Sequence, residues 1–317
     1  MAGYSAKKQP LLVIAGPTAS GKTATAIEAA LLLDGEIVSA DSMQIYRGLN
    51  IGTAKPAMAE RAAVPHYLID ILDPDAAYSA ADYVRDANRA IDAIVARGKQ
   101  PIVCGGTGLY IDALTSGLRF LQQENNDALR EQVRADRERL GVEAMLAELA
   151  AADPDYARTL HINNEKRILR AVEKLRATGL TQAQLAQRTR AEESRFSCYY
   201  TVLSVERAQL YARIEQRVDA MLAAGLLEEA RYVYENRARF ATARDAIGYK
   251  EFFPYFEGAQ TLHSCTDALK QATRRYAKRQ LTWFRRREDA LWLDAAQRTP
   301  QQLAQTIADG FCRFAQK

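Results

Sequence analysis

Along the first hundred residues, short apolar runs at 11–15, 36–39, 67–71 and 101–104 alternate with longer stretches, 22–33 and 79–97, of helical patterning. Short runs bounded by turn residues predict strands, and strands alternating with helices predict a parallel α/β sheet. Between residues 125 and 187 the strand pattern stops. Ala, Leu, Glu and Arg dominate there at helical spacing, broken at Asp153-Pro154 and at Gly179, which predicts an all-helical insertion. An apolar run at 198–205 predicts a return to the sheet, followed by long helices over 206–224 and 266–287. The expected organisation is a core of residues 1–118 and 198–317 with C-terminal helices, and an inserted helical domain at 119–197. No internal repeat is visible.

Composition narrows the class. With 317 residues, 48% of them hydrophobic and 26% charged, the chain can fill a core, which excludes disordered, collagen-like and low-complexity readings. No apolar run approaches the roughly 20 residues that cross a bilayer. Residues 1–10 hold two lysines and no apolar stretch of signal-peptide length, so a cytoplasmic location without membrane attachment is expected. Cys104, Cys198, Cys265 and Cys312 lie far apart with no C-x-x-C pair, and His66, His161 and His263 are equally scattered. Neither a disulfide frame nor a transition-metal cluster is expected.

Charge is where composition becomes informative. The net charge of +4 conceals eight basic residues and no acid between 270 and 287: Lys270, Arg274, Arg275, Lys278, Arg279, Arg285, Arg286 and Arg287. Outside that segment 35 basic residues face 39 acidic ones, so one helix makes the protein basic. Such clustering is the footprint of a polyphosphate partner.

The run at 11–15 leads straight into Gly16-Pro17-Thr18-Ala19-Ser20-Gly21-Lys22-Thr23, which fits G-x-x-x-x-G-K-[ST] between a strand and a helix. In this loop backbone amides turn around phosphate oxygens, the helix start adds a positive dipole, Lys22 adds a point charge, and the Thr23 hydroxyl suits Mg²⁺. A phosphate-loop fold with its parallel sheet is the expected class. The default user of such a loop, an ATP- or GTP-dependent enzyme, carries a second carboxylate after an apolar strand. Here the run at 101–104 ends in Gly105-Gly106-Thr107-Gly108 instead.

Asp41 follows the run at 36–39, and in a parallel sheet residues just past the strand ends share one crevice, so Asp41 and Thr107 should both face the phosphate loop. Taken singly, each also suits a helix N-cap. Together they place a carboxylate and a hydroxyl beside a diphosphate cradle.

At this point GPTASGKT (16–23), SADSMQIYRGLNIGTAKP (39–56) and GGTGLY (105–110) resemble the bacterial tRNA dimethylallyltransferases. The resemblance continues through Lys166-Arg167-Ile168-Leu169-Arg170, Arg213-Ile214-Glu215-Gln216-Arg217, Ile247-Gly248-Tyr249 and 278–285, and so spans nearly the whole chain. It implies transfer of a dimethylallyl group from dimethylallyl diphosphate to N6 of adenosine 37 in the tRNA anticodon stem-loop, with Mg²⁺ as cofactor and the chain acting as a monomer. Asp41 would be the general base, Thr107 would contact the bridging oxygen, and Lys22 and Arg217 would hold the diphosphate. The resemblance further implies tRNA contacts from Asp41, Ser42, Met43, Gln44, Thr107, Arg130, Lys166, Arg167, Arg170, Arg244, Gly248, Tyr249, Lys278, Arg279 and Arg285. On helical spacing Leu269, Thr273, Tyr276, Gln280 and Phe284 form the packed face of the basic helix, with Trp283 assigned to packing. The segments 120–126 and 161–165 depart from the family's pattern.

Residue chemistry agrees with that reading. Loop amides, Lys22 and Thr23 suit a departing pyrophosphate, an exocyclic adenine amine needs a proton acceptor, and an extruded loop base can reach a buried site. The rivals are a phosphate-loop small-molecule kinase, a prenyltransferase acting on free AMP or ATP, and a non-catalytic RNA-binding protein. The basic helix and helical insertion count against the first two, and the intact Lys22, Thr23, Asp41 and Thr107 against the third.

Overall fold

Strand β1 (Gln9–Ala15) is closed to solvent from Leu11 onward, as expected of a run with parallel neighbours on both sides. A computed structural model describes residues 8–117, 127–188 and 193–316. Around β1 stand β2 (Gly35–Ser39), β3 (His66–Tyr67), β4 (Gln100–Gly105), β5 (Phe196–Ser204) and β6 (Leu291–Asp294). They form a six-stranded sheet in the order β3-β2-β4-β1-β5-β6 with every pairing parallel. Ala15 pairs with Gly105 and Ser39 with Cys104, so the loops leaving β1, β2 and β4 emerge side by side. Because the chain passes from β1 to β2 over the place later taken by β4, this edge is a topological switch point.

Helices cover both faces. On one, the helix Lys22–Leu32 packs Ala26, Ile27 and Ala30 against Leu303, Ile307 and Phe311 of the helix Pro300–Ala315 and against Ile14 and Ile102 of the sheet. On the other, the helix Ala80–Ala96 buries Tyr83, Ala87, Ile91 and Ile94 against Val13, Val38 and Val103. Ser79 starts that helix by accepting the Asp82 amide, and Asp82 returns the bond to the Ser79 amide, a reciprocal cap. Glu206 likewise caps the helix Arg207–Ala223 by accepting the amides of Ala208 and Gln209.

The chain divides into two compact units, residues 1–116 with 194–317, and residues 117–193. Among the described residues the smaller has helices and no strand, with Val133, Met145, Leu149, Ile168 and Val172 at its centre. Asp153 both starts the helix Pro154–Arg158 and accepts the Gln182 amide, and Gly179 ends the helix Glu165–Thr178 in the left-handed region. Both sites are the breaks expected from sequence. The unit ends before β5 rather than within it, because β5 starts at Phe196 and Arg195 already accepts the Gln9 amide. The expected start at 119 and the divergent segment 120–126 lie outside the described residues.

Three expectations need correction. The strand expected over 67–71 stops at Tyr67, because Leu68 and Asp70 have φ of 62° and 56° and turn the chain out of the sheet. The basic helix starts earlier than expected, at Leu262 with Thr261 capping Ser264, and ends at Phe284. Strand β6 and the helix Pro300–Ala315 were not expected, although Thr299 and Pro300 carry a helix-start signal. Among the described residues no helix is long and apolar enough to cross a membrane.

Candidate active site

The phosphate loop bends through a left-handed Ala19 (φ 62°) and a left-handed Gly21 (φ 87°), which is the N-cap of the helix Lys22–Leu32. A non-glycine residue at such a φ costs about 1–2 kcal/mol, so the rest of the loop must hold Ala19 there. Lys22 Nζ folds back to donate to the Pro17 carbonyl at 3.2 Å. The first-turn amides of the helix have no partners within it and are available to an anion.

Asp41 opens the turn after β2. Its Oδ1 accepts the amides of Met43 (2.9 Å) and Gln44 (3.3 Å), while Oδ2 makes no hydrogen bond among the described residues. The two readings of Asp41 are therefore not exclusive, since one oxygen shapes the turn and the other is uncommitted. Thr107 occupies the N-cap position of the helix Gly108–Thr115 without capping it. Its Oγ1 instead accepts the Ser42 amide at 3.1 Å and lies 3.4 Å from Ser42 Oγ, which ties the β4 loop to the Asp41 turn.

These elements meet at a cavity of about 350 Å³ lined by Thr18, Lys22, Thr23, Asp41, Arg217 and Arg279 among others. That volume lies in the range of small-molecule sites. Ile37, Ile69, Ile214, Val218 and Leu269 supply an apolar wall. Thr107 stands just behind the lining, against Tyr276, whose phenol is driven upward in pKa by burial and eased back by hydrogen bonding with Thr107 and Gln280.

The cavity's cations are in excess. Arg217 and Arg279 make no hydrogen bond or ion pair among the described residues, apart from Arg279 lying 5.6 Å from the Tyr276 ring centre. Burial pulls the Lys22 ammonium below its ordinary value; nearby Arg217 adds to this, while Cys104 and Asp41 oppose it. Burial likewise lowers Arg217, against the pull of Asp41. Two desolvated cations near a single carboxylate are a site that an anion would relieve. The thiol of Cys104, against the Lys22 carbonyl, is pushed by burial to about 12 and is inert as a nucleophile.

Residues beyond those anticipated from sequence hold the site in shape. Gln280, 6% exposed, accepts the Thr18 amide and donates to the Gly106 carbonyl, both at 2.9 Å. Its signal was a polar side chain on the packed face of an amphipathic helix. That helix sits so close that a side chain at Gly106 would collide with Gln280 and one at Gly108 with Trp283. Trp283 donates to Asp112 at 2.7 Å, in keeping with its packing role. Glu229 accepts the successive amides of Asn50, Ile51 and Gly52, and Lys55 is bound to Asp70, Asn50 and the Tyr46 carbonyl, so the segment 50–56 is anchored along its length. His66 Nδ1 donates to the Val64 carbonyl at 2.8 Å, and its buried Nε2 has no partner among the described residues; burial lowers its pKa.

The residues assigned to tRNA fall into groups. Asp41, Ser42, Met43, Gln44, Gly248 and Arg279 line the cavity. The Gln44 side chain is committed to the carbonyls of Thr53 and Ala54 and to Ser39. Tyr249 corrects an expectation: it is fully buried, its ring against Gly52 and its hydroxyl donating to Glu229 at 2.8 Å, so it offers no surface to RNA. Arg244 is exposed and donates to the Arg237 carbonyl. In the helical unit Lys166, Arg167 and Arg170 are exposed on one helix, with Arg167 over the Tyr156 ring, and Arg130 is half-buried. The basic segment 270–287, made of the later part of the helix and the three residues after it, divides its charge. Lys270 pairs with Asp219, Arg274 with Glu215, and Arg287 with Asp289 and Asp112; Arg275, Lys278, Arg279, Arg285 and Arg286 are exposed and form no ion pair among the described residues.

Fold and cavity together define a phosphate-loop protein able to hold a diphosphate beside a carboxylate. The chain belongs to the IPP transferase family, which it matches over residues 44–287. It is 45% identical to the tRNA dimethylallyltransferase of Bacillus subtilis (strain 168) over 290 residues, 90% of this chain and 91% of that protein. It is also 45% identical to the tRNA dimethylallyltransferase of an Exiguobacterium species over 311 residues, 98% of each chain, a span that includes the phosphate loop and Asp41. Among solved structures, the full-length tRNA isopentenylpyrophosphate transferase of Bacillus halodurans superposes with a TM-score of 0.72 at 38% identity, covering 98% of this chain and 99% of that one. A eukaryotic dimethylallyltransferase acting on tRNA gives 0.75 at 28% identity, over 91% of this chain and 74% of that one.

Proposed function

We propose that the chain transfers a dimethylallyl group from dimethylallyl diphosphate to N6 of adenosine 37, beside the anticodon of a transfer RNA, releasing diphosphate. The observation that carries this reading is one cavity combining an excess of cations, a carboxylate with an uncommitted oxygen, and an apolar wall. The diphosphate would sit in the loop 16–23 with Lys22 and Arg217 against its oxygens, and the five-carbon chain along Ile37, Ile69 and Ile214. As the C1–O bond breaks, its electron pair leaves with diphosphate; the N6 lone pair forms the new bond to C1, and the N6 proton passes to Asp41. Thr107 can redirect its proton from the long contact with Ser42 Oγ to the bridging oxygen.

Thr23 lines the cavity and the described residues hold no cluster of three or more acidic, His or Cys ligands. A lone hydroxyl plus substrate phosphate oxygens is the kind of set Mg²⁺ accepts, so Thr23 would hold it. When bound, Mg²⁺ would neutralise charge on the departing diphosphate. The five cations of the basic segment that form no ion pair among the described residues, with Lys166, Arg167 and Arg170, support RNA as the acceptor's carrier. With tRNA as substrate, the chain would act in the cytoplasm. Incubation with labelled dimethylallyl diphosphate and a hairpin bearing a looped adenosine should put label into the RNA. Consumption of ATP without RNA, and no labelling, would favour a kinase.

A further inference from the structure

We propose that Gln280 is a positioning residue whose side-chain amide fixes the distance between the diphosphate loop and the Thr107 loop. This rests on the prenyl-transfer reading. The loops leaving β1 and β4 are joined through the strand pairing only as far as Ala15 and Gly105. Beyond the sheet edge, Gln280 spans them: Oε1 takes the Thr18 amide and Nε2 gives to the Gly106 carbonyl, both at 2.9 Å and in a buried position. Thr107 is the next residue after Gly106, so the second bond sets where its hydroxyl stands relative to the phosphate cradle. The first bond has a chemical consequence of its own. The Thr18 amide is taken by Gln280 and the Ser20 amide by the Pro17 carbonyl, which leaves the diphosphate the amides of Ala19, Gly21 and the helix start. Gln280 thus aims the loop as well as spacing it. The absence of a side chain at Gly106 is part of the device, since an added Cβ would lie 2.2 Å from Gln280 Nε2.

A polar amide at this place does what an apolar residue of equal volume cannot: it donates and accepts at once, in fixed directions. Its neighbour Arg279 lines the cavity, and the adjacent turn carries Tyr276 against Thr107. The helix that presents charge outward therefore also sets the geometry of transfer.

The test compares wild type, Gln280→Met, Gln280→Ala, Gly106→Ala and the pair Gln280→Ala with Gly106→Ala, using pyrophosphate binding by calorimetry, hairpin binding and labelled-prenyl turnover. Losing both Gln280 hydrogen bonds in Gln280→Met should weaken pyrophosphate binding about tenfold and lower kcat by at least as much, with hairpin Kd within about twofold. Gly106→Ala should cost turnover in the wild-type background and little more once Gln280 is Ala, because the added methyl then has room. Unchanged pyrophosphate Kd and kcat in folded Gln280→Met would overturn the proposal, as would a parallel loss of pyrophosphate and hairpin binding, which marks a general packing role. Wild-type protein that labels no RNA, while pyrophosphate binding still answers to Gln280, would instead reject the prenyl-transfer reading.

Discussion

Asp41 carries two duties on two oxygens, and substitution can separate them. Asn keeps an acceptor for the Met43 and Gln44 amides and removes the proton acceptor, so Asp41→Asn should leave the turn and hairpin affinity intact while kcat falls about 10²-fold or more. Single-turnover labelling with saturating hairpin measures it; unchanged turnover would remove Asp41 as the base. Lys22 gives a second test through pH. Its pKa is lowered in the free protein by burial, and a bound diphosphate favours the charged form. Affinity is therefore complete below the free-state pKa and falls as pH rises through it, at a pH below the ordinary lysine value of 10.5. Pyrophosphate calorimetry from pH 7 upward should show this loss in wild type relative to Lys22→Arg, whose guanidinium stays charged. Parallel pH profiles would place Lys22 outside the phosphate contacts.

At the scale of elements, the segment 50–56 shows how a loop becomes a wall. Glu229 fills three successive amides and Lys55 reaches across to Asp70, so this irregular stretch is fixed without strand or helix. Glu229→Ala strands those amides and the Tyr249 hydroxyl, a cost of about 2–3 kcal/mol. Thermal unfolding should move down by roughly 3–6 °C, with a raised KM because Gly52, Thr53 and Ala54 line the cavity. An unmoved transition would show the contacts to be incidental. The contrast with the phosphate loop explains what was legible in the sequence. The loop at 16–23, the turn after β2 and the capped helices announce themselves through short-range chemistry, namely glycines, caps and strand runs. Lys55 reaches Asp70 15 residues away, Glu229 reaches Asn50 179 away and Gln280 reaches Thr18 262 away, so no local pattern marks these contacts. The lost part of the strand at 67–71 failed for the opposite reason: the apolar run is real, but backbone turns at Leu68 and Asp70 bring Asp70 to Lys55 and Arg61. Tyr249, grouped with the RNA contacts by resemblance, is a core residue that holds the same wall.

Across the whole molecule, the basic helix resolves a question that net charge alone leaves open. Lys270, Arg274 and Arg287 are neutralised by carboxylates of neighbouring segments and act within the fold, whereas Arg275, Lys278, Arg279, Arg285 and Arg286 carry their charge outward. The two sets should behave differently toward salt. Each phosphate of a single-stranded loop neutralised by a cation contributes about 0.7 to the slope of log affinity against log salt. Combined Lys278→Glu and Arg285→Glu should therefore flatten the hairpin-binding slope by about 1–2, weakening binding most at low salt. Lys270→Ala, which removes a charge already answered by Asp219, should leave the slope at its wild-type value even if it costs some stability. Fluorescence anisotropy of a labelled hairpin between about 50 and 300 mM salt separates the sets. Equal slopes for both variants would mean that the outward charges meet no phosphate, and RNA recognition would then have to rest on the cavity rim and the helical unit.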